Sequence, residues 1–248
     1  MEEIIKCKRR VQKHGEVFTP KRIVNKMLNI PGVKEACESL TKTFLEPSAG
    51  EGAFLTAILE RKLTKVTETY NADLKQFENY SLLALTTLYG VELLEDNVQT
   101  CVMNMFQLYY DHYQEQVRYH GGTLNKKVLD SAKEIISANI RQGNFLTRKT
   151  IDNQPLVVSE WLPINLKQTP KTIKVQRTEY TLDEIYENVK KESGKTLNKP
   201  AEQPIQLDMF DGFAEDFFEN EKEMRYVSTN IIDVYQAEME EVNGSDNH

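Results

Sequence analysis

The sequence predicts an α/β fold, a parallel sheet with helices on both faces. Three observations carry this. Short apolar runs and helix-spaced segments alternate over about 160 residues. The first apolar run closes on an acid and a bare turn, FLEPSAGEGAFL (44–55), which leads straight into a helical pattern. A second run, LYGVEL (88–93), again ends on an acid. Alternation of this kind is the signature of strand–helix–strand units.

The elements follow in order. Residues 1–15 read as a polar lead. Thr19-Pro20 then marks a helix start, a hydroxyl cap with proline in the first turn, followed by KRIVNKML with Ile23, Val24, Met27 and Leu28 on one side. Pro31-Gly32 stops that helix, and VKEACESL forms a short second one. Thr43–Leu45 reads as the first strand, and Phe54–Leu63 is helical by spacing. Residues 64–80 are polar and read as an insertion. Leu82–Leu85 continues a helix toward the second strand. Asp96–Tyr109 is helical through Val98, Val102, Met105, Phe106 and Tyr109. Gly121-Gly122 is a break, and Val128–Ala138 a further helix. Asn139–Arg141 feeds a short strand into GNFL, and LVVS (156–159) reads as a fourth. Beyond residue 166 the pattern fades. KTIKVQRTEYTLDEIYENV reads as a strand and a short helix capped by Thr181, residues 191–206 are linker-like, and QLDMFDGFAEDFFENE (206–221) is an acidic, aromatic segment. The expected division is 1–42 as an N-terminal helical segment, 43–165 as the core, and 166–248 as a C-terminal extension.

The chain has 248 residues, 40% of them hydrophobic, ordinary for a globular protein. Cys7, Cys37 and Cys101 are far apart, and His14, His112, His120 and His248 form no ligand pattern. This argues against a metal site or disulfide framework and fits a reducing, cytoplasmic setting. No apolar run approaches the roughly 20 residues of a membrane span. Net charge is −7, but residues 201–248 hold thirteen acids against two bases, so the first 200 residues balance at +4. A mildly basic body is compatible with nucleic acid, and equally with an ordinary solvated surface.

A glycine-rich turn after the first strand lets a ligand approach the backbone, since no Cβ intervenes. Glu46 at that place would repel pyrophosphate and suits a cationic ligand. S-adenosylmethionine carries both an ammonium and a sulfonium. Glu92, ending the second strand, can accept bonds from ribose hydroxyls. Its distance from Gly50 exceeds the roughly 20 residues of a compact nucleotide unit, and the 64–80 insertion accounts for that.

A third stretch, HGEVFTP (14–20), precedes the first strand by a helix. GEVFTP, EPSAGEGAF, YGVELLEDN (89–97) and IRQGNFL (140–146), in that order, resemble the N6-adenine DNA methyltransferases of restriction–modification systems. The resemblance covers about residues 13–160. It implies a Rossmann-like, S-adenosylmethionine-dependent methyltransferase core acting on DNA, part of a restriction–modification or mobile-element system and working with a specificity or restriction subunit. It also implies that Phe18, Thr19 and Pro20 lie against the methionine end of the cofactor. Glu46, Pro47, Ser48, Ala49, Gly50, Glu51 and Gly52 surround its ammonium and carboxylate. Glu92 holds the ribose, with Leu93 beside the adenine. Asn144 stands where the family usually has Asp for the cofactor's adenine amino group, and Phe145 flanks the ring.

One family motif is missing. The family follows its fourth strand with [DNS]-P-P-[YFW], which holds the flipped target adenine. Here SEWLP follows LVV. Ser159, Glu160 and Trp161 are the candidates for that role. Two readings stay open, a divergent active site and a catalytically inactive SAM-binding subunit or regulator. An enzyme acting on RNA or protein is disfavoured by GEVFTP.

Overall fold

The computed structural model describes residues 6–197 and 223–242. The acidic segment 206–221 lies outside them. Three parallel strands form the central sheet, β1 (Phe44–Glu46), β2 (Leu88–Glu92) and β3 (Ile140–Gln142), with β2 in the middle. Glu46 pairs with Gly90 and Glu92 with Gln142, so all three carboxyl ends point the same way.

Three short helices precede the sheet, α1 (Lys8–His14), α2 (Lys21–Leu28) and α3 (Val33–Cys37). The polar lead is therefore partly helical. Pro20, not Thr19, stands at the cap of α2, and no side chain caps it. The physical reason is proline's effect on its neighbour, which pushes Thr19 away from helical backbone while Pro20 itself stays extended at ψ 144°.

β1 and β2 are joined by α4 (Ala53–Thr69) and α5 (Leu74–Leu85). α4 buries Leu55, Ile58, Leu59, Leu63 and Val66 at i, i+3 and i+4 spacing. Each such side chain contributes roughly 1.5–3 kcal/mol of transfer free energy. The expected insertion at 64–80 is instead the end of one helix and most of the next. It reads as polar, yet Glu78 and Asn79 are buried with partners and Asp73 serves as a helix cap. Asp73 caps α5 by accepting from Gln76 N at 2.9 Å, Asn79 Oδ1 accepts from Ile173 N at 2.8 Å, and Glu78 bonds to Tyr113. Upstream, buried Lys62 donates to the carbonyls of Ser39 and Lys42.

β2 leads through α6 (Glu95–Tyr119) and α7 (Lys126–Asn139) into β3. α4 to α7 share the larger core with Ile140, Ile173, Val175, Ile231 and Val234, so that core crosses both expected boundaries at 42/43 and 165/166.

The fourth strand departs from expectation. β4 (Val157–Pro163) does not join the parallel sheet but pairs antiparallel with β5 (Lys174–Thr181) over seven residues. Asn165 fastens the connection, accepting from Lys174 N and donating to Thr172 O, both at 2.9 Å. A closed local hairpin satisfies the β4 backbone without the β1 edge. β4 instead covers one face of the sheet, where Leu156 and Val158 meet Val91 together with Leu182. Helices therefore cover one face, and the β4–β5 unit much of the other. Thr181 does cap α8 (Leu182–Tyr186), in a capping box with Glu184. The remaining short strands are β6 (Met224–Tyr226), β7 (Thr229–Asn230), which pairs antiparallel with β5, and β8 (Met239–Glu241), which pairs antiparallel with β6. Among the described residues, no helix is long and apolar enough to cross a membrane, and no cluster of His, Cys, Asp and Glu could hold a metal ion.

Candidate functional site

The site lies at the carboxyl ends of β1 and β2. After Glu46 the chain turns back on itself. Ala49 N bonds to Val91 O at 3.0 Å and Gly52 N to Ala49 O at 2.9 Å, which pins the turn against β2. Gly50 and Gly52 both have positive φ, 54° and 86°. At Gly52 the need for glycine is double, because an added Cβ would sit 2.7 Å from Cys101 Sγ. Burial pushes the Cys101 thiol up to about 12, so that cysteine is packing rather than a nucleophile. At Gly50 an added Cβ would meet only the Phe18 ring, at 3.8 Å. Gly50 and Phe18 thus face each other across a gap no wider than one substituent.

Glu92 is the latch of the site. It is buried, at 7% exposure. Its Oε2 accepts from Gly50 N at 2.9 Å and its Oε1 from Leu94 N at 3.0 Å. A carboxylate has about four acceptor positions, so two remain for a ligand. Glu46 sits half-buried beside the turn. Burial pushes its carboxyl above the usual range, partly offset by the Ser48 N–H at 3.3 Å. It has no cationic side chain as partner among the described residues. A desolvated, unpaired carboxylate gains most from a ligand that brings a positive charge. These features fit the ammonium and ribose of S-adenosylmethionine.

The other expected cofactor residues fall around this centre with different degrees of engagement. Thr19 and Pro20 follow Phe18 into α2, all three half-buried. Pro47 and Ser48 are exposed. Glu51 points outward to Lys6 at 2.8 Å. Leu93 is exposed at 49%. Gly143, just after β3, donates to Glu92 O at 2.9 Å, which brings GNFL beside the second strand. Asn144 Oδ1 accepts from Leu146 N at 2.9 Å and Thr147 N at 3.3 Å, so it caps its own turn. Phe145 packs against the Val91 cluster.

Ser159, Glu160 and Trp161 lie in β4. Trp161 is 5% exposed; its Nε1 donates to Asn139 Oδ1 at 2.9 Å, and the Arg177 guanidinium lies 5.0 Å from its ring. Buried Ser159 accepts from Arg177 Nε at 3.0 Å. Glu160 is exposed. As placed, the Trp161 ring offers no open face to a base.

One set of residues was not singled out from the sequence. Lys6 and Arg10 strap the N-terminal lead across the site. Lys6 reaches Glu51, Asp96 and Asn97 and stands 5.7 Å above the Phe18 ring. Arg10 holds Glu16 and Asp96, and Asn97 donates to Glu16 at 2.7 Å. The Arg10 bond, helped by Lys6, holds the Asp96 carboxyl down at about 2. The signal was the crowded basic run KCKRR before GEVFTP.

The model of the N-6 DNA methylase family matches residues 6–165. Neither the curated proteins nor the solved structures give a significant match. The matched span contains α1, the Phe18 segment, the glycine turn, Glu92 and GNFL, and it covers well over half of the sequence. The chain belongs to the N-6 DNA methylase family.

Proposed function

We propose that the chain binds S-adenosylmethionine at the β1–β2 turn and serves methyl transfer to adenine N6 in DNA, in a complex of the restriction–modification type with a specificity or restriction subunit. The observation that carries this is the pair of acids, Glu46 and Glu92, at the ends of adjacent parallel strands around a turn that Gly50 leaves bare. When bound, the cofactor supplies an electrophilic methyl group on sulfonium. Glu46 pairs with the ammonium, and Glu92 uses its two remaining acceptor positions on the ribose hydroxyls. Phe18 closes one side and excludes water. Asn144 and Phe145 stand where the cofactor's adenine end would lie, with the amide oxygen lent from its own turn. Exposed Lys8, Arg9, Lys13, Arg22 and Lys26 give the neighbouring α1 and α2 a surface suited to phosphate.

Calorimetry with S-adenosylmethionine, then transfer of labelled methyl groups to genomic DNA with base analysis, tests the proposal. Binding that weakens about 10- to 150-fold in Glu46→Ala is expected. Absence of binding to the folded wild type refutes it. A second reading, a SAM-binding subunit without transfer of its own, is favoured by the burial of Trp161. It requires binding without methylation in any combination of co-encoded proteins.

A further inference from the structure

The methionine end of S-adenosylmethionine is a zwitterion. Its ammonium has Glu46, and its carboxylate needs a receptor of the opposite sign. Glu46, Glu51 and Glu92 make the turn and its surroundings acidic, so an unmatched carboxylate would be repelled there. Among the described residues, the ion pair made by the turn 46–52 is that of Glu51 with Lys6. Lys6 Nζ stands 2.8 Å from Glu51 Oε1, 3.1 Å from Asp96 Oδ2 and 2.7 Å from Asn97 Oδ1. It also lies 5.7 Å from the centroid of the Phe18 ring, the ring that faces Gly50.

The three partners of Lys6 are not equally held. Asp96 has a second cation, because Arg10 grips it through Nη1 at 2.9 Å and Nη2 at 3.0 Å. Asn97 is fixed from its other side, with Nδ2 donating to Glu16 Oε1 at 2.7 Å. Glu51 is anchored by its backbone alone, its carbonyl accepting from Asn104 Nδ2 at 3.0 Å. Its side chain is 34% exposed. An ion pair so exposed is worth little, and the same ammonium gains more from an anion sheltered from water. The start of α4 points the same way. Gly52 stands at its N-cap with no side-chain bond, and the first turn carries no acid. The N-terminus of this 17-residue helix therefore favours an anion beside the Lys6–Glu51 pair.

We propose that Lys6 is the receptor for the carboxylate at the cofactor's methionine end, and that Glu51 occupies the place of that carboxylate until the cofactor arrives. This rests on the cofactor reading above and deepens it. The exchange conserves charge, since one carboxylate leaves the ammonium as another takes it. Glu51 turns to water, which its exposure permits, while Arg10 keeps the N-terminal strap on Asp96 and Glu16. Lys6 lies upstream of GEVFTP, so the strap, and not only the strand ends, selects the ligand. The sign for Glu51 then reverses: an acid within the turn weakens cofactor binding instead of supporting it.

Calorimetry on the full chain compares S-adenosylmethionine with its decarboxylated analogue, which keeps the sulfonium and the ammonium and lacks only the carboxylate. Wild type should prefer S-adenosylmethionine about tenfold. Lys6→Met should cut that preference to within about twofold, by weakening S-adenosylmethionine while the analogue binds as before. Glu51→Gln should raise S-adenosylmethionine affinity about two- to fivefold, because no ion pair has to open, and should not raise that of the analogue. If Lys6→Met fails to melt cooperatively, Glu51→Gln decides. Equal losses for both ligands in Lys6→Met make Lys6 a structural tie and overturn the proposal. So does a Lys6→Met variant that keeps the wild-type preference, which leaves the carboxylate to the α4 terminus. A Glu51→Gln variant that binds S-adenosylmethionine no better than wild type also overturns it. In each of these cases wild-type binding of S-adenosylmethionine keeps the cofactor reading standing. A folded wild type that binds neither ligand removes both.

Discussion

Replacing Glu92 by glutamine removes a charge while keeping shape, and the structure sets the size of the effect. The carboxylate accepts two backbone N–H groups, from Gly50 and Leu94, at 2.9 and 3.0 Å. Glutamine keeps one acceptor and turns an NH2 toward the other N–H. One bond to a charged group is lost, worth roughly 1.5–3 kcal/mol. For a chain of about this size, each kcal/mol shifts the melting temperature by about 2–4 °C. The expected fall is thus roughly 3–12 °C, read by thermal unfolding with circular dichroism. The same substitution halves the acceptors left for the ribose diol. Affinity for S-adenosylmethionine should fall at least tenfold in calorimetry, about 1.4 kcal/mol. Unchanged melting would refute the latch. Lower melting with unchanged affinity would keep the latch and refute the ribose role.

Glu46→Ala should cost on the order of 1.5–3 kcal/mol of cofactor binding. Because burial raises the Glu46 carboxyl and only its ionised form attracts an ammonium, wild-type affinity should fall as pH drops through a midpoint above the usual 4.5, with Glu46→Gln removing that dependence in calorimetry. Gly52→Ala should destabilise by roughly 2–5 kcal/mol, combining left-handed backbone with a Cβ 2.7 Å from Cys101 Sγ; in urea titrations, adding Cys101→Ala should cost less than the sum of the two single changes. Asn144→Asp keeps the turn cap and should bind S-adenosylmethionine as well or better, whereas Asn144→Leu should lose both melting temperature and affinity; a leucine variant that binds normally places GNFL away from the cofactor. Trp161→Phe keeps most of the packing and loses the bond to Asn139, so it should lower stability by about 0.5–1.5 kcal/mol and leave methylation by an active complex within about twofold. In Trp161→Ala, a loss approaching that of base stacking, about 5- to 150-fold, with cofactor affinity intact would return the base-holding role to SEWLP.

Local chemistry was legible without coordinates. A glycine turn after the first strand, an acid at each strand end and a hydroxyl cap before a short helix are short-range features, and Gly50 and Gly52 form that turn, Glu46 and Glu92 end their strands and Thr181 caps its helix. Helix periodicity likewise located α4, α6 and α7, because one buried stripe is written into consecutive turns. Three things depended on the tertiary structure. The 64–80 stretch looked like an insertion because composition cannot show that Asn79 and Glu78 find partners in distant elements. Asn144 looked like a free acceptor until its own turn claimed the oxygen. The fourth strand is the largest case. Apolar runs state that a segment will be a strand, but not which edge it will pair with. That choice went to the adjacent β5, whose seven-residue ladder closes over the local 164–173 loop, and among the described residues no strand lies on the other side of β1.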